Sequence, residues 1–122
     1  MKRKLLIVED EPELLQMLSL KANHLNYDCV LEASGELSID KAKFFNPDVI
    51  LLDLNLPKIS GLGVIRELKR INQTANIPII VYSAIHDSEV VREAMDLGAT
   101  AYVTKTSGMK DLFSLVTEYT AT

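Results

Sequence analysis

The chain has 122 residues, 48% of them apolar and 25% charged, with a net charge of −4 and a single cysteine, Cys29. That describes one globular domain with room for a core, spanning 1–122, and it excludes a disordered segment, a disulfide scaffold and a cysteine-built zinc site. The acidic balance, offset by no basic block, argues against nucleic acid or an anionic membrane as the partner.

The N-terminus is basic (Lys2, Arg3, Lys4), but the apolar run behind it stops at Glu9-Asp10-Glu11. It is far too short for a signal peptide or a membrane span, so a soluble, cytoplasmic protein is expected. Leu5-Leu6-Ile7-Val8 reads as a buried strand. Pro12 suits a first helical turn, and Leu14, Leu15, Leu18 and Leu25 recur at helical spacing. A second strand, half-alternating and therefore nearer an edge, is expected across 28–33, with Cys29 as a small buried hydrophobe. A weaker helix follows from Leu37 to Phe45, ended by Asn46-Pro47.

The third strand, Val49 to Asp53, is greasy enough to be covered on both faces, as in a parallel sheet. A loop with Pro57 and Gly61 leads to a helix from Leu62 to Ile71 that turns Val64, Ile65 and Leu68 inward. Ile77 to Tyr82 is the fourth strand, with Pro78 near its start. Asp87 or Ser88 caps a helix that runs to Leu97 and stops at Gly98. Ala101 to Thr104 is the fifth strand, and Met109, Leu112, Phe113 and Val116 trace the inner face of a last helix. Met17 and Met95 read as core or helix-face fillers. His24, His86 and Tyr82 read as surface or packing residues.

Strict alternation of this kind predicts a (βα)5 α/β domain with a parallel sheet and helices on both faces. Right-handed crossovers make the flavodoxin-like strand order 2-1-3-4-5 the commonest small solution. The strands then end, on one edge of the sheet, in Glu9-Asp10, Asp53, Ser83 and Lys105. Taken singly, each reads as an ordinary turn or helix-start residue. Together they form a set. Three neighbouring carboxylates resist ionising together unless a cation sits among them, and hard oxygen ligands favour Mg²⁺. Lys105 adds a positive point charge and Ser83 a hydroxyl, so Asp53 is well placed to accept a phosphoryl group.

The stretches Leu5–Pro12, Asp48–Pro57 with Gly61, Pro78–Ala84 and Gly98–Lys105 make the chain resemble the receiver domain of two-component response regulators along essentially its whole length. The resemblance implies that Asp53 accepts a phosphoryl group from a sensor histidine kinase or a phosphotransfer protein. It implies that Glu9, Asp10, Asp53 and the backbone carbonyl of Asn55 hold Mg²⁺, and that Ser83 and Lys105 contact the phosphoryl oxygens. Tyr102 is implied as the aromatic switch, read out on the face of helix 4, strand 5 and helix 5. The implied output is a downstream protein or a fused effector domain, with a phosphorylation-dependent dimer left open.

Some residues depart from that pattern. Thr106 stands where many receivers have proline, and without proline a cis bond costs about 2.5–4 kcal/mol, so a trans bond and a strained cis bond are both open. Apolar Ile85, two residues past Ser83, is expected to shield a phosphoryl group from water. Thr100-Ala101 lacks the two acids common in winged-helix transcription regulators, which weakens the case for their dimer mode. The end at 119–122 without an effector domain fits a stand-alone receiver or a truncated one. Two alternatives remain: a nonphosphorylated interaction module on the same fold, and an aspartate-nucleophile phosphatase. The phosphatase would place its nucleophile after the first strand, with a second aspartate where Asn55 stands.

Overall fold

The computed structural model describes residues 2–121; Met1 and Thr122, the ends of the expected 1–122 domain, lie outside the described residues. Strands and helices alternate as β1 (Lys4–Val8), α1 (Pro12–His24), β2 (Asp28–Glu32), α2 (Gly35–Phe45), β3 (Val49–Leu52), α3 (Gly61–Arg70), β4 (Ile79–Ser83), α4 (Ser88–Leu97), β5 (Ala101–Thr104) and α5 (Met109–Thr120). A 3₁₀ turn at Lys105–Ser107 joins β5 to α5. All four strand pairings are parallel, and the order is β2-β1-β3-β4-β5, with β2 and β5 at the edges. No helix among the described residues is long and apolar enough to cross a membrane.

The period-2 alternation of the strands divides the core in two. Leu6, Val8, Ile50, Leu52, Ile79 and Val81 face one side, against Ala42, Val64, Ile65, Leu68 and Ala94 of α2, α3 and α4. Leu5, Ile7, Val49, Leu51, Ile80, Tyr82 and Val103 face the other, against Leu18 and Ala22 of α1 and Leu112, Phe113 and Val116 of α5. Because β3 is central, both its faces are covered and all four of its residues are buried. This is the burial that its unbroken apolar run calls for.

Local chemistry fixes where the helices begin and end. The Asp87 carboxylate accepts from Glu89 N–H at 2.8 Å, and the hydroxyls of Ser34 and Ser60 accept from Leu37 and Gly63 N–H. Asn46 at φ 51° and Gly98 at φ 120° stop α2 and α4. Thr100 does what the sequence did not announce. Its hydroxyl accepts from Ile79 N–H at 3.1 Å while its own N–H donates to Ile79 carbonyl at 2.8 Å, joining β5 to the start of β4.

Several sequence expectations are corrected. Leu25 is 40% exposed, because α1 ends at His24 and Leu25 lies past the last helical turn; Ala22 fills the inner position. Met17 and Met95 are largely exposed, and only Met109 packs on a core cluster. α2 begins two residues earlier than expected, at the Ser34 cap. β4 begins after Pro78, which has no N–H to donate, and extends through Ser83, which pairs with Thr104. Cys29 is half-buried on edge strand β2.

Candidate functional site

β1 and β3 are adjacent and in register, so their C-terminal ends coincide. Glu9 follows Val8 directly, and its N–H donates to Glu32 carbonyl at 3.0 Å, prolonging the ladder by one bond. Asp53 follows Leu52, and its N–H donates to Val8 carbonyl at 3.0 Å. The two acids therefore leave neighbouring strands at the same level. Both are buried, whereas Asp10 is exposed. Glu9, Asp10 and Asp53 each offer a carboxylate oxygen within 4.8 Å of the others.

Lys105 arrives from the turn after β5. Its ammonium lies 3.0 Å from Glu9 Oε1 and 3.3 Å from Asp53 Oδ2, with little of the side chain exposed. Burial alone would depress its pKa, but the Glu9 hydrogen bond and the charges of Asp53 and Glu9 raise it above the usual lysine value. Glu9 is held above the usual carboxylate range by burial, with the Asp53 charge adding. The Glu11 N–H, which donates to Glu9 Oε2 at 3.0 Å, and Lys105 pull the other way. Two unit charges about 4 Å apart interact by roughly 4 kcal/mol at an effective dielectric of about 20. Three carboxylates against one ammonium thus leave a deficit of positive charge that a hard divalent cation fits. Glu9, Asp10 and Asp53 are the residues that could hold it.

The other expected site residues lie around this group. Asn55 N–H donates to Asp53 Oδ1 at 3.3 Å, while its side chain is exposed. Ser83 is fully buried at the end of β4, its hydroxyl accepting from Ile85 N–H at 3.2 Å. Tyr102 is half-buried, and its hydroxyl donates to Ile85 carbonyl at 2.5 Å. One residue, Ile85, is thus gripped at its N–H by Ser83 and at its carbonyl by Tyr102. Sequence reasoning saw Ile85 only as an apolar side chain; backbone contacts leave no mark in residue type. The Lys105–Thr106 bond is trans, since no peptide bond among the described residues is cis. Glu11 contributes its backbone N–H and not its carboxylate, and His24 and His86 are exposed.

In the sequence Gly61 reads as a loop glycine and as part of the receiver resemblance, without a stated reason for glycine. A Cβ there would stand 2.5 Å from Asp53 carbonyl oxygen and 2.5 Å from Leu54 Cα, so the start of α3 presses directly on the backbone that carries Asp53. A groove of about 530 Å³ lined by Val30, Leu37, Phe44 and Phe45 lies along β2 and α2 and shares no residue with the site.

A doubly wound α/β domain that gathers acids, a lysine and a hydroxyl at its strand C-termini has its ligand edge where open parallel sheets bind ligands. The chain belongs to the response regulator receiver domain family of two-component systems, whose profile matches residues 5–117. It is 38% identical over 112 residues to the response regulator ArlR of Staphylococcus haemolyticus, covering 92% of this chain and 50% of that protein. The chain therefore spans about half the length of such curated relatives. Among solved structures it superposes on the chemotaxis response regulator CheY4 of Vibrio cholerae with a TM-score of 0.90, at 24% identity, covering 98% of this chain and 99% of that one. It superposes on the phosphorylated cyanobacterial phytochrome response regulator RcpA with a TM-score of 0.82, at 28% identity, covering 100% and 98%.

Proposed function

We propose that this receiver domain is a phosphorylation-controlled switch in which Asp53 accepts a phosphoryl group from the phosphohistidine of a sensor kinase or phosphotransfer protein. The observation that carries the reading is the Asp53 carboxylate itself: it directly follows the central strand, Glu9 and Asp10 stand beside it, and the Lys105 ammonium meets one of its oxygens. The phosphorylated state of RcpA, a relative of the same fold, supports it.

In the transfer, an Asp53 oxygen attacks phosphorus in line as the phosphorus–nitrogen bond to imidazole breaks, and the imidazole leaves with the bonding pair. Mg²⁺ held by Glu9, Asp10 and Asp53, with the Asn55 carbonyl, would supply charge neutralisation of the phosphoryl oxygens. Lys105 exchanges its contact with Asp53 Oδ2 for a phosphoryl oxygen. Ser83 rotates its hydroxyl from accepting Ile85 N–H to donating to another. Releasing the Ile85 N–H loosens the segment whose carbonyl Tyr102 holds, so the new charge biases the strand that carries Tyr102 and the helices beside it. The output is a downstream protein or an effector domain, and the setting is the cytoplasm.

The test is incubation with a small phosphodonor, or with beryllofluoride, with and without Mg²⁺. Peptide mapping is expected to find the modification on Asp53, dependent on Mg²⁺ and absent in Asp53→Asn. Absence of any Mg²⁺-dependent change would move the protein to the class of nonphosphorylated interaction modules.

A further inference from the structure

We propose that the hydroxyls of Thr104 and Thr106 bracket Lys105 and aim its ammonium at the phosphoryl site, which makes Thr106 a positioning residue. The proposal rests on the function reading above.

Lys105 hangs on a weakly supported piece of chain. β5 pairs with β4 up to Thr104, and the sheet ladder ends there. The next three residues form the 3₁₀ turn, which ends at Gly108 with φ 85°, a position where an added Cβ would meet no heavy atom within 4 Å. Thr106 and Ser107 are exposed, so burial of their side chains does little to hold the turn. The ammonium must nevertheless pass β4 to reach Asp53 after β3, and then Glu9 after β1. β3 lies two strand spacings, roughly 10 Å, from β5, and the long lysine side chain carries any rotation of the turn out to Nζ.

Local hydroxyls supply the constraint. Thr104 Oγ1 and Thr106 Oγ1 are 2.9 Å apart, and Thr104 Oγ1 also lies 3.4 Å from Ser107 Oγ. The two threonines are the chain neighbours of Lys105, so their bond closes a small ring around its backbone and fixes the direction in which the side chain leaves. The bond joins side chain to side chain, so it restrains the two residues on either side of Lys105 without occupying a backbone group. Where the resemblance leads one to expect a proline ring stiffening position 106, this chain has a trans bond and a hydroxyl bridge. Both hydroxyls are solvent-accessible, so their bond contributes orientation more than stability.

The experiment compares the parent with Thr106→Val, which keeps the shape and loses the hydroxyl, and Thr106→Ser, which keeps the hydroxyl. Each is also made in a Lys105→Met background. The rate of Mg²⁺-dependent Asp53 phosphorylation by a small phosphodonor and the affinity for beryllofluoride are read, with the thermal midpoint alongside. Thr106→Val is expected to lower both about three- to tenfold at an unchanged midpoint, with Thr106→Ser within about twofold of the parent. In the Lys105→Met background Thr106→Val should have no further effect, because a residue acting through lysine has nothing left to position. An equal loss in both backgrounds, or a Thr106→Val protein indistinguishable from the parent, overturns the proposal. A parent that takes up neither phosphoryl group nor beryllofluoride overturns the function reading itself.

Discussion

Replacing Gly61 with alanine should damage the fold and the site together. The new Cβ would stand 2.5 Å from the Asp53 carbonyl oxygen and from Leu54 Cα, where carbon atoms ordinarily rest about 3.5–4 Å apart. Both obstacles are backbone, so no side chain can swing clear, and α3 and the Asp53 segment must separate by roughly 1 Å. Overpacking of this kind costs about 1–3 kcal/mol, and obstacles that cannot yield put Gly61→Ala at the upper end, a drop of roughly 10 °C in Tm. A shift of that size at a reacting group costs up to about 100-fold in rate, so phosphorylation of Asp53 should fall by about 10- to 100-fold. Gly63→Ala on the same helix is the control. Its nearest neighbours are Ile59 Cγ1 at 2.9 Å and Cδ1 at 3.3 Å, on a side chain that can turn. Losing a glycine inside a helix gains roughly 0.5–1 kcal/mol, so this variant should stay within about 1 kcal/mol of the parent. Urea unfolding and a phosphodonor time course measure both effects. If Gly61→Ala were as stable as Gly63→Ala and phosphorylated at the parental rate, the close-approach argument would be wrong.

Burial and Asp53 raise the Glu9 pKa above 4.5, so over the window from there up to the raised value the native state holds more protons than the unfolded one. Stability contributed at Glu9 should therefore fall as pH rises through that window. Without divalent cations the urea midpoint of the parent should drop relative to Glu9→Gln over it, and added Mg²⁺ should reverse the difference; parallel curves would sink the assignment. Cys29 is pushed up to about 11, first by burial and then by Asp28, from 9.0. At pH 8 its thiolate fraction is then about 100-fold below that of the unfolded chain, and iodoacetamide should label the folded protein slower by about that factor; equal rates in buffer and in urea would contradict this. Half-buried Ile85 adjoins Ser83. Ile85→Glu should speed loss of the phosphoryl group by roughly tenfold, less than a well-aligned general base provides. An unchanged half-life of phospho-Asp53 removes the shielding role.

Apolar runs and helical spacing are local signals, and they suffice for the alternation of elements, the burial of β3 and the residue types at the strand ends. Gly98, Asp87 and Asn46 were legible for the same reason, each acting within a turn of its own position. Where an element's edge depends on a neighbour, local reading slips. β4 extends through Ser83 because Thr104 pairs with it, and α1 buries Ala22 while Leu25 falls beyond its last turn. Contacts between residues distant in sequence follow from how the folded chain brings them together. The Lys105 ammonium bridges Glu9 and Asp53, Tyr102 and Ser83 hold the two ends of the Ile85 backbone, and Gly61 leaves the space that Asp53 needs. The physical reason is one of range: propensity and periodicity act over a few residues, whereas charge pairing and steric exclusion act between whatever the parallel sheet brings to one edge.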